Sequence, residues 1–210
     1  KLDRKLKQID LEKTTQRKNR RDVFKVALVG YTNAGKSTLM NQLTEAESLV
    51  ENKLFATLDS TIRKIKKNFP YPVVLSDTVG FIDKLPHDLI ASFKSTLDEV
   101  RDANLLIMMV DISDSNAKRQ IQTTYNVINE LGVAETDLLL VLNKVDKVSD
   151  PEIIESEIQR YPEAIFISSK NGTGLDVLRN AIISCYESKL ASFQISIKYK
   201  HAKLIPKIRK

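Results

Sequence analysis

Eight residues constrain this chain more than any others: Gly30-Tyr31-Thr32-Asn33-Ala34-Gly35-Lys36-Ser37, spaced G-x-x-x-x-G-K-S. An apolar run, 23–29, leads into them, and an amphipathic run, 37–43, leads away. Strand, glycine-bearing turn and helix is the setting in which this spacing cradles phosphate. Gly30 and Gly35 are expected to let the backbone curl and turn its N–H groups inward, where a side chain would block a phosphate. A helix starting at Lys36 points its positive dipole end at the same place. Lys36 is expected to reach β- and γ-phosphates and the Ser37 hydroxyl to ligate Mg²⁺. Tyr31, Thr32, Asn33, Ala34 and Thr38 complete the expected contacts with the nucleotide.

Around this loop, apolar and amphipathic runs alternate. Strands are predicted at 23–29, 61–68, 73–76, 105–111, 138–142 and 164–167. Helices are predicted at 36–46, from Pro86 to 103, at 115–131 ending at Gly132, from Pro151 to 160, and at 175–190. Residues 48–60 show no period and read as a loop, and 193–199 alternate as an extra strand or a linker. Strands separated by crossover helices give a three-layer α/β fold, a mostly parallel mixed sheet. The short join before residue 73 predicts one antiparallel strand in it.

Charge divides the chain. Residues 1–21 hold nine Lys/Arg and three Asp/Glu, and 198–210 hold six Lys/Arg and no acids. The stretch between has 18 basic against 24 acidic residues. Residues 1–21, with Leu2, Leu6 and Ile9 on one helical face, read as a basic helical segment and linker. Residues 22–190 read as the nucleotide-binding domain and 191–210 as a basic C-terminal extension. The basic ends suit RNA or another polyanion, or serve as solvated arms. The single cysteine, Cys185, excludes an internal disulfide framework and fits a reducing, cytoplasmic setting. No apolar run has membrane-spanning length. The chain does not begin with Met and reads as a piece of a longer protein.

Four further stretches specify the nucleotide. Asp77-Thr78-Val79-Gly80 follows a predicted strand; Asp77 would hold Mg²⁺ through water, and the Gly80 N–H would bond the γ-phosphate. Asn143-Lys144-Val145-Asp146 follows another. The Asp146 carboxylate can accept two N–H bonds from the guanine edge, where adenine offers no such pair of donors. Asn143 would bond the base and pin the phosphate loop, and the Lys144 stem would cover the base face. Ser168-Ser169-Lys170 resembles the S-A-K stretch of G domains, whose backbone N–H bonds guanine O6; Ser169 stands where that stretch has alanine. In the loop 52–61, Thr57 and Thr61 are both candidates for the threonine that caps Mg²⁺ and the γ-phosphate, so GTP and GDP are the expected ligands.

Residues 30–39, the string ENKLFATLDSTIR (51–63) and the string DTVGFIDKLPHDLIASFKSTLDEVR (77–101) closely resemble the HflX family of translational GTPases, in the Obg–HflX group. The resemblance spans about residues 1–190. It implies a Ras-like sheet order, makes Thr57 the Mg²⁺ ligand, and puts Phe55, Ala56, Leu58 and Asp59 beside the nucleotide. It also implies a ribosomal partner, chiefly the large subunit and its RNA, and an N-terminal domain preceding residues 1–21. A monomer is expected.

Phe81 follows Gly80, where many GTPases place a water-orienting glutamine. Intrinsic hydrolysis is therefore expected to be slow, carried by Lys36, Thr57, Gly80, Mg²⁺ and backbone N–H groups. His87 reads as a first-turn surface residue, and Arg63 and Arg101 as solvated or ion-paired rather than as charge-stabilising fingers. In some related GTPases an asparagine at the position of Asn33 helps bind a potassium ion, and the same role is an expectation here.

Overall fold

Residues 105–110 (Leu-Leu-Ile-Met-Met-Val) are apolar at every position, as a strand covered on both faces must be. In the computed structural model of the chain they lie at the heart of the sheet, every side chain buried. The structure describes residues 23–44, 61–65, 69–78, 80 and 94–190. In chain order the elements are β1 (Phe24–Gly30), α1 (Lys36–Leu43), β2 (Thr61–Lys64), β3 (Val73–Asp77), α2 (Lys94–Arg101), β4 (Leu105–Asp111), α3 (Ala117–Glu130), β5 (Asp137–Asn143), a 3₁₀ turn (Val145–Lys147), α4 (Pro151–Arg160), β6 (Ile165–Phe166) and α5 (Leu175–Ser188).

The described strands form one sheet in the order β2-β3-β1-β4-β5-β6. β2 runs antiparallel to β3, with Thr61 opposite Asp77 and Lys64 opposite Val74. The other pairs are parallel. The expected mixed sheet with one antiparallel strand is what forms. Because parallel neighbours require crossovers, helices cover both faces. Side-chain alternation sorts the core. Val26 and Leu28 of β1 join Leu39 and Met40 of α1 and Leu178 and Ile182 of α5. Ala27 and Val29 join Val100 of α2 and Ile121 and Ile128 of α3.

The differences from the predicted boundaries have local causes. Helix α1 stops at Leu43, not residue 46. Thr44 is extended, bridges Ile65 beside the edge strand, and turns its hydroxyl onto the Met40 carbonyl at 2.8 Å. Helix α4 starts at Pro151 as expected, because Asp150 caps it by accepting the Glu152 N–H at 3.0 Å. Cys185 lies on α5, donates to Asp137 Oδ2 at 3.4 Å, and has its thiol pushed up to about 11, chiefly by burial. The N-terminal segment, the loop 48–60, the helix start at Pro86, His87 and residues 191–210 lie outside the described residues.

Candidate functional site

All parallel strands point their C-terminal ends the same way, so the loops after β1, β3, β5 and β6 gather at one edge of the sheet. Such an edge is where open α/β sheets bind ligands. The loop 30–37 leaves β1 there and runs straight into α1.

The two glycines of this loop have separate reasons. Gly30 has φ 139°, and a Cβ there would meet the Met109 carbonyl oxygen at 2.2 Å. What a side chain there would strike is the neighbouring strand β4. Gly35 has φ 100°, and its Cβ would meet Asn143 Nδ2 at 2.3 Å. It makes room for the side chain that ends β5. Asn33 also lies at positive φ, 61°, and is exposed; asparagine is among the few non-glycine residues that tolerate this region.

Lys36 is buried, and its Nζ donates to the carbonyls of Gly30 at 3.0 Å and Tyr31 at 2.9 Å. Burial lowers its pKa to about 8, against the opposing pull of Asp77. The ammonium thus lies inside the curl of the loop. Ser37 donates its hydroxyl to Asp77 Oδ2 at 2.6 Å, joining the first turn of α1 to the last residue of β3. A hydroxyl beside a carboxylate is a hard-oxygen donor pair, which suits Mg²⁺, a cation usually bound by one or two protein oxygens plus phosphate and water. These two expected metal ligands come together. Thr57 lies outside the described residues, as do Phe55, Ala56, Leu58, Asp59 and Val79. Thr61, the other candidate threonine, begins β2 beside Asp77 in the ladder and is exposed.

Thr78 turns its hydroxyl inward onto the Leu28 carbonyl at 2.6 Å, stapling the D-x-x-G segment to β1. Gly80 packs against the phosphate loop: a Cβ on it would lie 2.7 Å from Thr32 Cα. A side chain there would force the two loops apart.

Asn143 is fully buried, and its amide works from both ends. Nδ2 donates to the Ala34 carbonyl at 2.8 Å, and Oδ1 accepts the Ser169 N–H at 2.9 Å. One side chain therefore ties the loop after β1 to the loops after β5 and β6. In this arrangement the Ser169 N–H serves Asn143, and Lys170, exposed, carries the next N–H. Ser168 donates its hydroxyl to Asp146 Oδ1, which orients that carboxylate. Lys144 has φ 67° and pairs with Asp111 Oδ2 at 2.6 Å. Asp111 is marked in the sequence only as an acid ending an otherwise apolar strand. Arg63 donates to Asn41 Oδ1 at 3.1 Å and Arg101 to the Leu131 carbonyl at 3.4 Å.

The family described as "50S ribosome-binding GTPase" matches residues 25–144, more than half of the chain. The GTPase HflX of Gluconacetobacter diazotrophicus is 43% identical over 193 residues, covering 92% of this chain and 43% of that protein. The chain belongs to the HflX family of P-loop GTPases. The GTPase HflX of Escherichia coli (strain K12) is 40% identical over 187 residues, covering 89% of this chain and 44% of that protein. The chain thus spans less than half the length of these curated relatives. Among solved structures, a GTP-binding protein from the archaeon Sulfolobus solfataricus in complex with GDP is 26% identical, with a TM-score of 0.60 over 88% of this chain and 59% of that one. Era in complex with MgGDPNP and nucleotides 1506–1542 of 16S ribosomal RNA, at 24% identity and a TM-score of 0.62 over 84% of this chain and 60% of that one, shares the fold. Among the described residues, no helix is long and apolar enough to cross a membrane.

Proposed function

We propose that this chain binds GTP with Mg²⁺ across the loop 30–37 and hydrolyses it slowly to GDP and phosphate. We further propose that the cycle is coupled to binding or splitting ribosomes through the large subunit and its RNA. One observation carries the nucleotide reading: Asn143 holds the phosphate loop at Ala34 and the base loop at Ser169 together. In this reading a GTP molecule spans these loops, phosphates at one and base at the other.

In this reading Lys36 and the loop N–H groups hold the β- and γ-phosphates. Asp146, oriented by Ser168, accepts two hydrogen bonds from guanine. Adenine would leave that carboxylate unpaired, which costs affinity. Ser37, Asp77 and Thr57 would hold Mg²⁺, which when bound neutralises charge developing on the phosphoryl oxygens. The Gly80 N–H meets the γ-phosphate, and its packing on Thr32 carries loss of that phosphate into the D-x-x-G segment. The proposed layout is a basic helical segment and linker at 1–21, a GTP-binding G domain at 22–190 and a basic C-terminal extension at 191–210, in a monomeric cytoplasmic protein. Asn33, exposed at the loop's outer turn, is the proposed potassium ligand.

Phe81 favours a second reading, because it cannot orient water. In that reading the chain is a nucleotide-gated RNA- or ribosome-binding module, or a ribosome-assembly or RNA-modification GTPase, with incidental turnover. Steady-state GTP hydrolysis with and without large ribosomal subunits, in potassium and in sodium buffer, separates the two. Stimulation by subunits supports the first reading. An unchanged rate with GTP-dependent co-sedimentation supports the second. Equal rates in the two salts would remove the potassium role of Asn33.

A further inference from the structure

Lys144 combines two unusual features. Its backbone is left-handed (φ 67°, ψ 35°), a region that a residue with a Cβ adopts only against steric strain. Its ammonium also forms a largely buried ion pair with Asp111, the side chains being 15% and 14% exposed. Asp111 ends β4, in parallel register with Asn143 of β5, and the Ile112 N–H donates to the Asn143 carbonyl at 3.0 Å. The two carboxylate oxygens divide their work. Oδ1 accepts the Ser113 N–H at 3.0 Å and its hydroxyl at 2.6 Å, while Oδ2 holds Lys144. The acid is therefore fixed by its own loop before it meets the lysine.

We infer that Asp111 is a positioning residue of the guanine site, anchoring Lys144 so that the lysine stem is already laid out as a wall for the base. This rests on the guanine-nucleotide reading given above. A free lysine loses rotamer freedom when a ring settles against its stem. With its ammonium tethered by Asp111, that ordering is complete before the nucleotide arrives, so affinity gains without any contact between Asp111 and the ligand. The benefit falls on how long nucleotide stays bound, since such gains appear mostly in dissociation rates.

The test is a double-mutant cycle read by dissociation of the fluorescent analogue mant-GDP in the presence of Mg²⁺. Asp111→Asn keeps an acceptor for Ser113 and the same shape but removes the charge that holds Lys144. It is expected to speed dissociation about tenfold, the cost of ordering one long side chain. Lys144→Ala is expected to do the same, and the double variant to dissociate no faster than Lys144→Ala alone. Unchanged dissociation in Asp111→Asn, or effects that multiply in the double variant, would overturn the role. Should Asp111→Asn lower the melting temperature, Lys144→Ala still decides, because an unchanged dissociation rate there overturns it. If the unaltered chain fails to bind mant-GDP, the guanine-site reading itself falls, and this role with it.

Discussion

At the scale of single residues, Lys36 carries the sharpest consequence. Its pKa is lowered to about 8, chiefly by burial. The unfolded chain would hold that proton up to about 10.4. The burial penalty on stability is thus present in full below pH 8 and is relieved as pH rises between 8 and the unfolded value. Nucleotide reverses the situation, because phosphate favours the charged amine. Binding should therefore take up a proton above pH 8, and GDP affinity should fall about tenfold per pH unit there while this group stays flat below it. Titration calorimetry in buffers of different ionisation enthalpy measures both effects; no proton uptake at pH 8.5 would rule this out. Asp146 carries the second prediction. Asp146→Asn should shift preference from guanine to xanthine nucleotides, because the amide offers a donor where guanine also has one. Competition between GTP and XTP reads the outcome, and retained GTP preference would refute the base assignment.

At the scale of elements, α4 owes its start to a single side chain, whereas α1 and α5 start from left-handed glycines, Gly35 and Gly174, with no side-chain cap. Asp150 satisfies an orphan N–H at the start of α4, just ahead of Pro151. Asp150→Ala should cost about 1 kcal/mol. For a domain of this size that lowers Tm by about 2–4 °C, measurable by thermal melting, with nucleotide affinity unchanged. Helix α1 shows the converse control. Its sequence would carry it further, but the bridge from Thr44 to Ile65 captures the backbone and ends it at Leu43. The predicted starts at Lys36, Pro151 and Leu175 agree with the structure, and the ends at 46 and 190 run two to three residues long. Caps are written locally, whereas helix ends also answer to neighbouring strands.

At the scale of the molecule, the described body has two poles. The loops of the site occupy one. At the other, the Phe24 ring that opens β1 packs edge-on against Tyr186 near the end of α5, centroids 5.3 Å apart, and Tyr71 stacks on the same tyrosine at 4.2 Å. The beginning and the end of the described body therefore meet a full strand's length from the phosphate loop. A ligand spanning the loops after β1, β3, β5 and β6 should stabilise the whole sheet. GDP with Mg²⁺ at 100 times its Kd is expected to add about 2.7 kcal/mol, seen as a concentration-dependent rise in Tm. ADP at the same concentration should leave Tm where it is.

The sequence alone determined the local chemistry: a strand, a G-x-x-x-x-G-K-S turn and a helix, then D-x-x-G and N-K-x-D each at a strand end, and a parallel sheet with one reversed strand. These follow from period and from residue type over short stretches, which any reader of the chain can see. Only the tertiary structure decided what each motif touches. Gly30 proved to answer to Met109, Gly35 to Asn143, Gly80 to Thr32, and Lys144 to Asp111. Asn143 lies 109 residues from the Ala34 carbonyl that it grips. Such partners depend on which strands become neighbours and in what register. That is settled by burying two faces of one sheet at once, and no local spacing encodes it.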